Sequence, residues 1–384
     1  MKKAKRILIL TGAGAAYPWF ANEVKVTTTT ITDEIRNDKF CNEIYFELFS
    51  QYAPAEKDSI NFETIINAIE RIFLYFRGRQ DHFDSDFPAL FCPKEIIQNY
   101  YPLKEDHEDK NQSAYDIGKL FEELINTISR QIVFYDNKLK RSDNEMNSYL
   151  CQFLEFIQSE KNCIRSYTTN YDQMFIDATK ELSKTLSFFD GFNSGDYDVR
   201  KIIKSDRIPC YYNLHGSIYW DYIKDKNDNK KIKKQGFPFH EKINYNRFPV
   251  EESNPNEPFV GSPIITGFNK LQRINQEPFN AFAHAFYRDC HKADIFIFIG
   301  FSFNDSHINN VLNHVDWNGK KVLIVDKCDN PANHKGVQNF ENWCGESIVP
   351  DQFDAERKVN FYNKGFAEFL KEYSSVIKEC GIEL

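Results

Sequence analysis

Two rhythms of apolar residues run along this chain: short unbroken runs, and longer stripes that recur every third or fourth position. The unbroken runs are Ile7-Leu8-Ile9-Leu10, Ile295-Phe296-Ile297-Phe298-Ile299 and the segment 321–325 before Asp326. A strand apolar on both faces belongs in a covered sheet, the usual setting of parallel strands. Residues 163–167 and the tyrosine-rich 210–214 read as further strands. Helices are predicted after residue 172, where Met174, Phe175 and Ala178 share a side, and over 278–292, 306–315 and 366–380. A hairpin is expected around Asp228-Asn229.

Between the first strand and the next, the character changes. Residues 24–32 contain four consecutive threonines and read as extended, because β-branched side chains crowd a helix. From 33 to 161 the period is helical. One stripe is Ile60, Phe62, Ile65, Ile66, Ile69, Ile72 and Phe73; a second is Ile117, Leu120, Phe121, Leu124, Ile125 and Ile128; a third is Tyr149, Leu150, Phe153 and Phe156. Alternating strands and helices predict an α/β fold, a Rossmann-like parallel sheet with helices on both faces, interrupted by a large helical insertion. The expected division is 1–32, the insertion or cap 33–161, and 162–384.

Composition narrows the possible partners. The 384 residues are 41% hydrophobic and 27% charged, an ordinary globular balance, and the 35 Phe and 20 Tyr are spread out as core filling would require. Net charge is −8, and the one dense basic run, 224–234, includes Asp225 and Asp228, so it reads as a solvated hairpin tip and not as a nucleic-acid face. Nine cysteines form no C-x-x-C pair, so no structural zinc and no other metal is expected. Their odd number and the lack of a signal peptide suggest buried thiols in a reducing cytoplasm. No apolar run approaches the roughly 18 residues of a membrane span.

The candidate chemistry stands at strand ends. In order come Gly12-Ala13-Gly14-Ala15, Thr169-Asn170-Tyr171-Asp172, Leu214-His215-Gly216-Ser217, Gly300-Phe301-Ser302-Phe303-Asn304-Asp305-Ser306-His307, and Asp326. In a doubly wound sheet these ends share one edge, where ligands bind. The glycine turn would offer bare backbone N–H groups to a pyrophosphate, although Tyr17 stands where the third glycine of G-x-G-x-x-G belongs. Bland alternatives remain open for each. Asn170 can be a turn former, His215 a packed histidine, Asp172 an acceptor for first-turn amides, Asp305 and Ser306 helix caps, and Asp326 a plain strand end. His284 and His291 read as surface or packing residues.

Taken in this order, the Gly-Ala-Gly turn, TTNYD, LHGS and GFSFNDSHI resemble the sirtuin-like family of NAD-consuming domains. They look most similar to its bacterial NAD-hydrolysing branch associated with anti-phage defence; the helical block is unexplained by the resemblance. It implies NAD as substrate, with Gly12, Ala13, Gly14, Ala15 and Thr169 around it. Asn170 would hold the nicotinamide ribose and an ordered water, since a neutral amide both donates and accepts. His215, an imidazole that titrates near neutrality, would take a proton. Asp172 would bind nicotinamide or offset developing positive charge. Gly300, Ser302, Asp305 and His307 would meet ribose or phosphate, and Asp326 an adenosine hydroxyl. All of this requires Asn170 and His215 to share one pocket above Gly12.

The implied function is an NAD glycohydrolase that depletes NAD in infected cells, working as a homo-oligomer with a HerA-like ATPase as partner. Two departures from deacylating sirtuins weigh against protein deacylation. Zinc-ribbon cysteine pairs are absent, and Ala16 with Tyr17-Pro18-Trp19-Phe20 replaces the serine and the G-I-P-x-F-R segment. Deacylase activity and a non-catalytic NAD or ADP-ribose sensor remain the rival readings. A nuclease has little support in an acidic chain without a carboxylate cluster.

Overall fold

The structure is a computed structural model that describes residues 4–19, 31–33, 62–63, 66, 122, 124–134, 136–137, 144–158, 162–224, 230–238, 263–265 and 273–384. The chain divides into two compact units. One comprises Met1–Lys25, Phe134–Ser217 and Ile274–Leu384, and the other Val26–Val133 and Ile218–Arg273. All the strand-end motifs lie in the first.

That unit is built on six strands: β1 (Arg6–Thr11), β2 (Cys163–Thr168), β3 (Cys210–Asn213), β4 (Ile295–Ile299), β5 (Lys321–Val325) and β6 (Val359–Tyr362). Their order across the sheet is β6-β5-β4-β1-β2-β3, and every neighbouring pair is parallel. Read from the other edge this is 3-2-1-4-5-6, the doubly wound order in which a crevice opens where the winding reverses, here between β1 and β4. Register puts Thr11 opposite both Thr168 and Ile299, so three strands end level. The expected α/β parallel sheet is present.

Seven helices accompany these strands among the described residues of the unit: α1 (Glu145–Ile157), α2 (Met174–Leu182), α3 (Val199–Lys204), α4 (Phe279–Lys292), α5 (Ser306–Asn313), α6 (Lys335–Cys344) and α7 (Phe366–Glu379). The third apolar stripe forms α1, capped by Asn144, whose side chain accepts the Met146 N–H at 2.9 Å. Phe153 of α1 meets Phe369 and Tyr373 of α7 edge-on at 5.3 and 5.4 Å. Tyr167 of β2 and Tyr212 of β3 pack on α4, Tyr167 5.0 Å from Phe286 and Tyr212 stacked 4.9 Å from Phe282, while Tyr211 lies 5.1 Å from Phe175 of α2. The stripes beginning at Ile60 and Ile117 lie largely outside the described residues, although Phe62, Ile66, Leu124, Ile125 and Ile128 are buried. In the second unit, Trp220–Lys224 and Lys230–Lys234 form the antiparallel hairpin expected around Asp228-Asn229; the tip, 225–229, is outside the described residues.

Three elements have no counterpart in the sequence reading. β6 is only four residues long, and its apolar run is broken by Asn360. Asn360 is buried because its Oδ1 accepts the Asp354 N–H at 2.9 Å, which ties the strand to the loop before it. Helices α3 and α6 are short and polar on most positions, so their periodicity is faint.

A buried ion pair joins β2 to α4. Arg165 Nε donates to Asp289 Oδ2 at 2.5 Å, the Tyr167 hydroxyl donates to the same oxygen at 2.6 Å, and Arg288 Nε donates to Asp289 Oδ1 at 2.9 Å. Arg165 Nη1 continues to the Ile208 carbonyl at 2.6 Å. Burial, reinforced by the Asp289 charge, holds the Tyr167 hydroxyl well above its ordinary range, so it stays a donor. Burial also pushes the neighbouring Cys210 thiol up to about 12, which keeps it neutral and unreactive. All seven described cysteines are free thiols, five of them buried. Among the described residues no helix is long and apolar enough to cross a membrane.

An uncompensated buried guanidinium is costly, so Asp289→Ala should lower the unfolding free energy by about 3–5 kcal/mol. Urea denaturation followed by tryptophan fluorescence checks this; a loss under 1 kcal/mol, on the order of a surface pair, would contradict it.

Candidate functional site

At the point where the winding reverses, backbone meets backbone. The Gly12 N–H donates to the Ile299 carbonyl at 3.0 Å, the Gly14 N–H to the Gly300 carbonyl at 3.0 Å, and the Ala15 N–H to the Gly12 carbonyl at 3.0 Å. A Cβ on Gly12 would lie 2.6 Å from the Gly300 oxygen, and one on Gly14 2.7 Å from the Gly300 Cα. Gly300 itself has φ +56°, and a Cβ there would lie 2.2 Å from the Ala15 nitrogen. The expectation of bare amides is therefore corrected: the Gly12 and Gly14 N–H groups join the two loops to each other, and the Ala15 N–H closes the glycine turn on itself. What the glycines provide is close approach.

The chain leaves this contact as a 3-10 turn, Ala13–Trp19, and not as a long α-helix. Its end is anchored by Trp19, whose Nε1 donates to Asn147 Oδ1 at 2.6 Å and whose ring lies 6.4 Å from Phe366. Partial burial and the negative charge of Asp326, which follows β5, raise the pKa of the Tyr17 hydroxyl. Asp326 Oδ1 accepts the Lys327 N–H at 2.8 Å, and Oδ2 lies 3.1 Å from His334 Nε2.

The TTNYD segment is tied to the same turn. The Thr169 N–H donates to the Thr11 carbonyl at 3.0 Å, and Asn170 Nδ2 donates to the Gly12 carbonyl at 3.0 Å. Asp172 is fully buried, and its Oδ1 accepts the Met174 N–H at 3.0 Å and the Tyr211 hydroxyl at 2.9 Å. Those bonds start α2 and brace β3. Asn213, the last residue of β3, spends both amide hydrogens on this loop, to the Asn170 carbonyl at 3.0 Å and the Asp172 carbonyl at 2.7 Å. The Ser217 hydroxyl donates to the Tyr171 carbonyl at 3.0 Å. The TTNYD and LHGS segments are thus one hydrogen-bonded assembly. Asn213 was missed by the sequence reading, although a polar residue closing a tyrosine strand just before His215 was its signal.

His215 is buried and its Nε2 lies 3.2 Å from His307 Nε2 and 3.8 Å from Asp305 Oδ1. At about 4.8 Å per strand, β3 and β4 stand about 14 Å apart. Their loops therefore reach toward each other across the ends of β1 and β2, where Gly12 and Asn170 sit. Asp305 occupies the cap position of α5 without a side-chain cap bond; its main-chain carbonyl takes the Ile308 and Asn309 amides at 3.1 and 3.0 Å. Its carboxylate is directed to histidine instead. Phe303 holds φ +55° in this loop, buried against Phe298 and Phe340 and fixed by Asn309 Nδ2, which donates to its carbonyl at 2.6 Å.

The site thus gathers Gly12, Gly14, Thr169, Asn170 and Gly300 at the reversal point, and His215, Asp305 and His307 across it. Asp326 stands with Tyr17 and His334 beyond β4. Ser302 is exposed, as are His284 and His291 on α4.

Residues 165–341, from β2 through most of α6, match the family model described as SIR2-like domain. Over this stretch the chain is similar to SIR2-like domains. The match takes in Asn170, His215, Gly300 and Asp326, while the glycine turn after β1 lies upstream of it. No curated protein matches the chain. Among solved structures, "Structure of Sir2Tm bound to a propionylated peptide" aligns over 99% of this chain and 95% of that one, with 13% identity and a TM-score of 0.36. "The Structural basis of Sirtuin Substrate Affinity" aligns over 96% and 93%, at 12% identity and 0.38. "Sir2-p53 peptide-NAD+" aligns over 98% and 94%, at 13% and 0.36.

Two substitutions test this geometry. Gly300→Ala should cost more than about 2 kcal/mol, because a positive φ is joined by a backbone collision, while Gly319→Ala, at φ +71° with open space around it, should cost about 1 kcal/mol. Paired thermal melts check the difference. Asp172→Ala should cost about 1–3 kcal/mol through loss of the buried acceptor for the Met174 N–H and the Tyr211 hydroxyl, read by the same melts.

Proposed function

We propose that this chain is an NAD glycohydrolase that splits NAD+ into nicotinamide and ADP-ribose. The observation that carries the reading is the bond from Asn170 Nδ2 to the Gly12 carbonyl, in a loop that Asn213 and Ser217 tie to the segment bearing His215. An amide held on the glycine turn and an imidazole from the adjoining loop suit the crevice where doubly wound folds take dinucleotides. Asp326, one acidic strand end farther along, suits a ribose hydroxyl of the adenosine half.

The reaction asks little of the protein. The nicotinamide ring nitrogen is cationic in NAD+, so when the bond to C1′ breaks the electron pair returns to the ring and nicotinamide leaves neutral, without a general acid. Positive charge then builds on the ribose, as in glycoside hydrolysis. Asn170 steadies the ribose and a water. The water oxygen bonds to C1′, and the proton it sheds passes to His215, giving ADP-ribose. Asp172, committed to the Met174 amide and the Tyr211 hydroxyl, acts on this chemistry by holding the Asn170 loop.

We further propose that the activity serves anti-phage defence by NAD depletion, in a homo-oligomer that works with a HerA-like ATPase; the motif resemblance supports this part. Purified protein, alone and with that ATPase, should release nicotinamide from NAD+ without any acyl-lysine peptide. Asn170→Ala and His215→Ala should each lower the rate by at least about a hundredfold, the size of a general-base contribution. Turnover that requires acyl-lysine peptide would favour a deacylase, and binding of NAD without cleavage in every combination would favour a sensor.

A further inference from the structure

We propose that His215, Asp305 and His307 form a binding site for a divalent transition metal of the zinc class. One ligand atom from each lies within 4.8 Å of the other two. In a tetrahedral zinc site with bonds of 2.0–2.1 Å, neighbouring ligand atoms are about 3.3 Å apart. The two Nε2 atoms, at 3.2 Å, already stand at that spacing, and Asp305 Oδ1, at 3.8 Å from His215 Nε2, needs only a small side-chain rotation to join them. Two imidazoles and one carboxylate are the protein ligands of a familiar class of zinc site, one that leaves a fourth position for water.

The surroundings fit that use. The imidazoles face each other through their Nε2 atoms, the arrangement that one shared ion would bridge. The Asp305 carboxylate stands at the start of α5 without capping it. His215 is buried, whereas Asp305 and His307 are half-buried, so one side of the cluster is open for exchange with solvent. Imidazole nitrogen favours zinc, cobalt, nickel and copper, while magnesium and calcium seek oxygen donors. His215 lies 92 residues before His307 in the chain. Reading cysteine and histidine spacing led to an expectation of no metal, because this donor set exists only after folding.

An ion on Nε2 of His215 occupies the lone pair that the NAD reading assigns to the water proton, so metal loading and NAD cleavage would exclude each other. That consequence rests on the proposed function; the binding itself does not.

Cobalt(II) titration of the purified, chelator-treated chain tests the site. The expected result is one cobalt per chain with a visible spectrum of nitrogen and oxygen ligation, displaced by zinc and unaffected by excess magnesium. His307→Ala and Asp305→Asn should each weaken binding by at least about tenfold. No cobalt binding by the wild-type chain, unchanged binding in both variants, or a thiolate charge-transfer band that places the ion on cysteine would overturn the proposal. Should a variant fail to fold by circular dichroism, the wild-type chain still decides: zinc should protect His307 from diethyl pyrocarbonate, mapped by mass spectrometry, and unprotected His307 would refute the site. Nicotinamide release measured in chelator reads the NAD proposal separately.

Discussion

Everything at the carboxyl edge of this sheet depends on one backbone-to-backbone contact, in which Gly12 and Gly14 lie against Gly300. Side chains would hold the loops after β1 and β4 apart by at least the width of a methyl group. Without them, the Gly12 loop donates two main-chain hydrogen bonds to the Gly300 loop, and the Gly12 carbonyl is turned toward Asn170. The Asn170 loop is then fastened to the His215 loop by Asn213 and Ser217, and His215 meets the far end of the Gly300 loop at His307. The motifs form a closed circuit of short contacts, and a disturbance at Gly300 reaches each of its members.

This circuit explains which roles were legible in the sequence. The strands were visible because a five-residue apolar run such as 295–299 has few other places to go in a folded chain. Their alternation with helices implied a parallel sheet, so the motifs at their ends had to share an edge; the order of the strands was not legible. Long-range polar contacts were not visible. Nothing about Arg165 in a buried strand announces that Asp289, on a helix 124 residues away, will neutralise it. Nor does a glycine turn announce whether its amides face a ligand or another loop; here Gly300 claims two of them through its own and the Ile299 carbonyl.

Local chemistry separated the candidates in a way that motif matching could not. Asp172 and Asp305 look alike on paper, each an acidic residue just before a helix. In the fold they part company. Asp172 spends its carboxylate on a helix amide and a tyrosine, whereas Asp305 caps with its main chain and turns its carboxylate toward His215. The difference comes from neighbours supplied by other strands, chiefly Tyr211, and no local spacing encodes it.

The central strand has a temporal consequence. β1 precedes both of its partners by long stretches of chain, β2 by 157 residues and β4 by 288. Contacts so distant in sequence form slowly, since a long loop must close before any of them is rewarded. A nascent chain therefore carries β1 unpaired on both sides until β2 follows, and completes the crevice only after β4. A product that stops before β4 lacks one wall of that crevice.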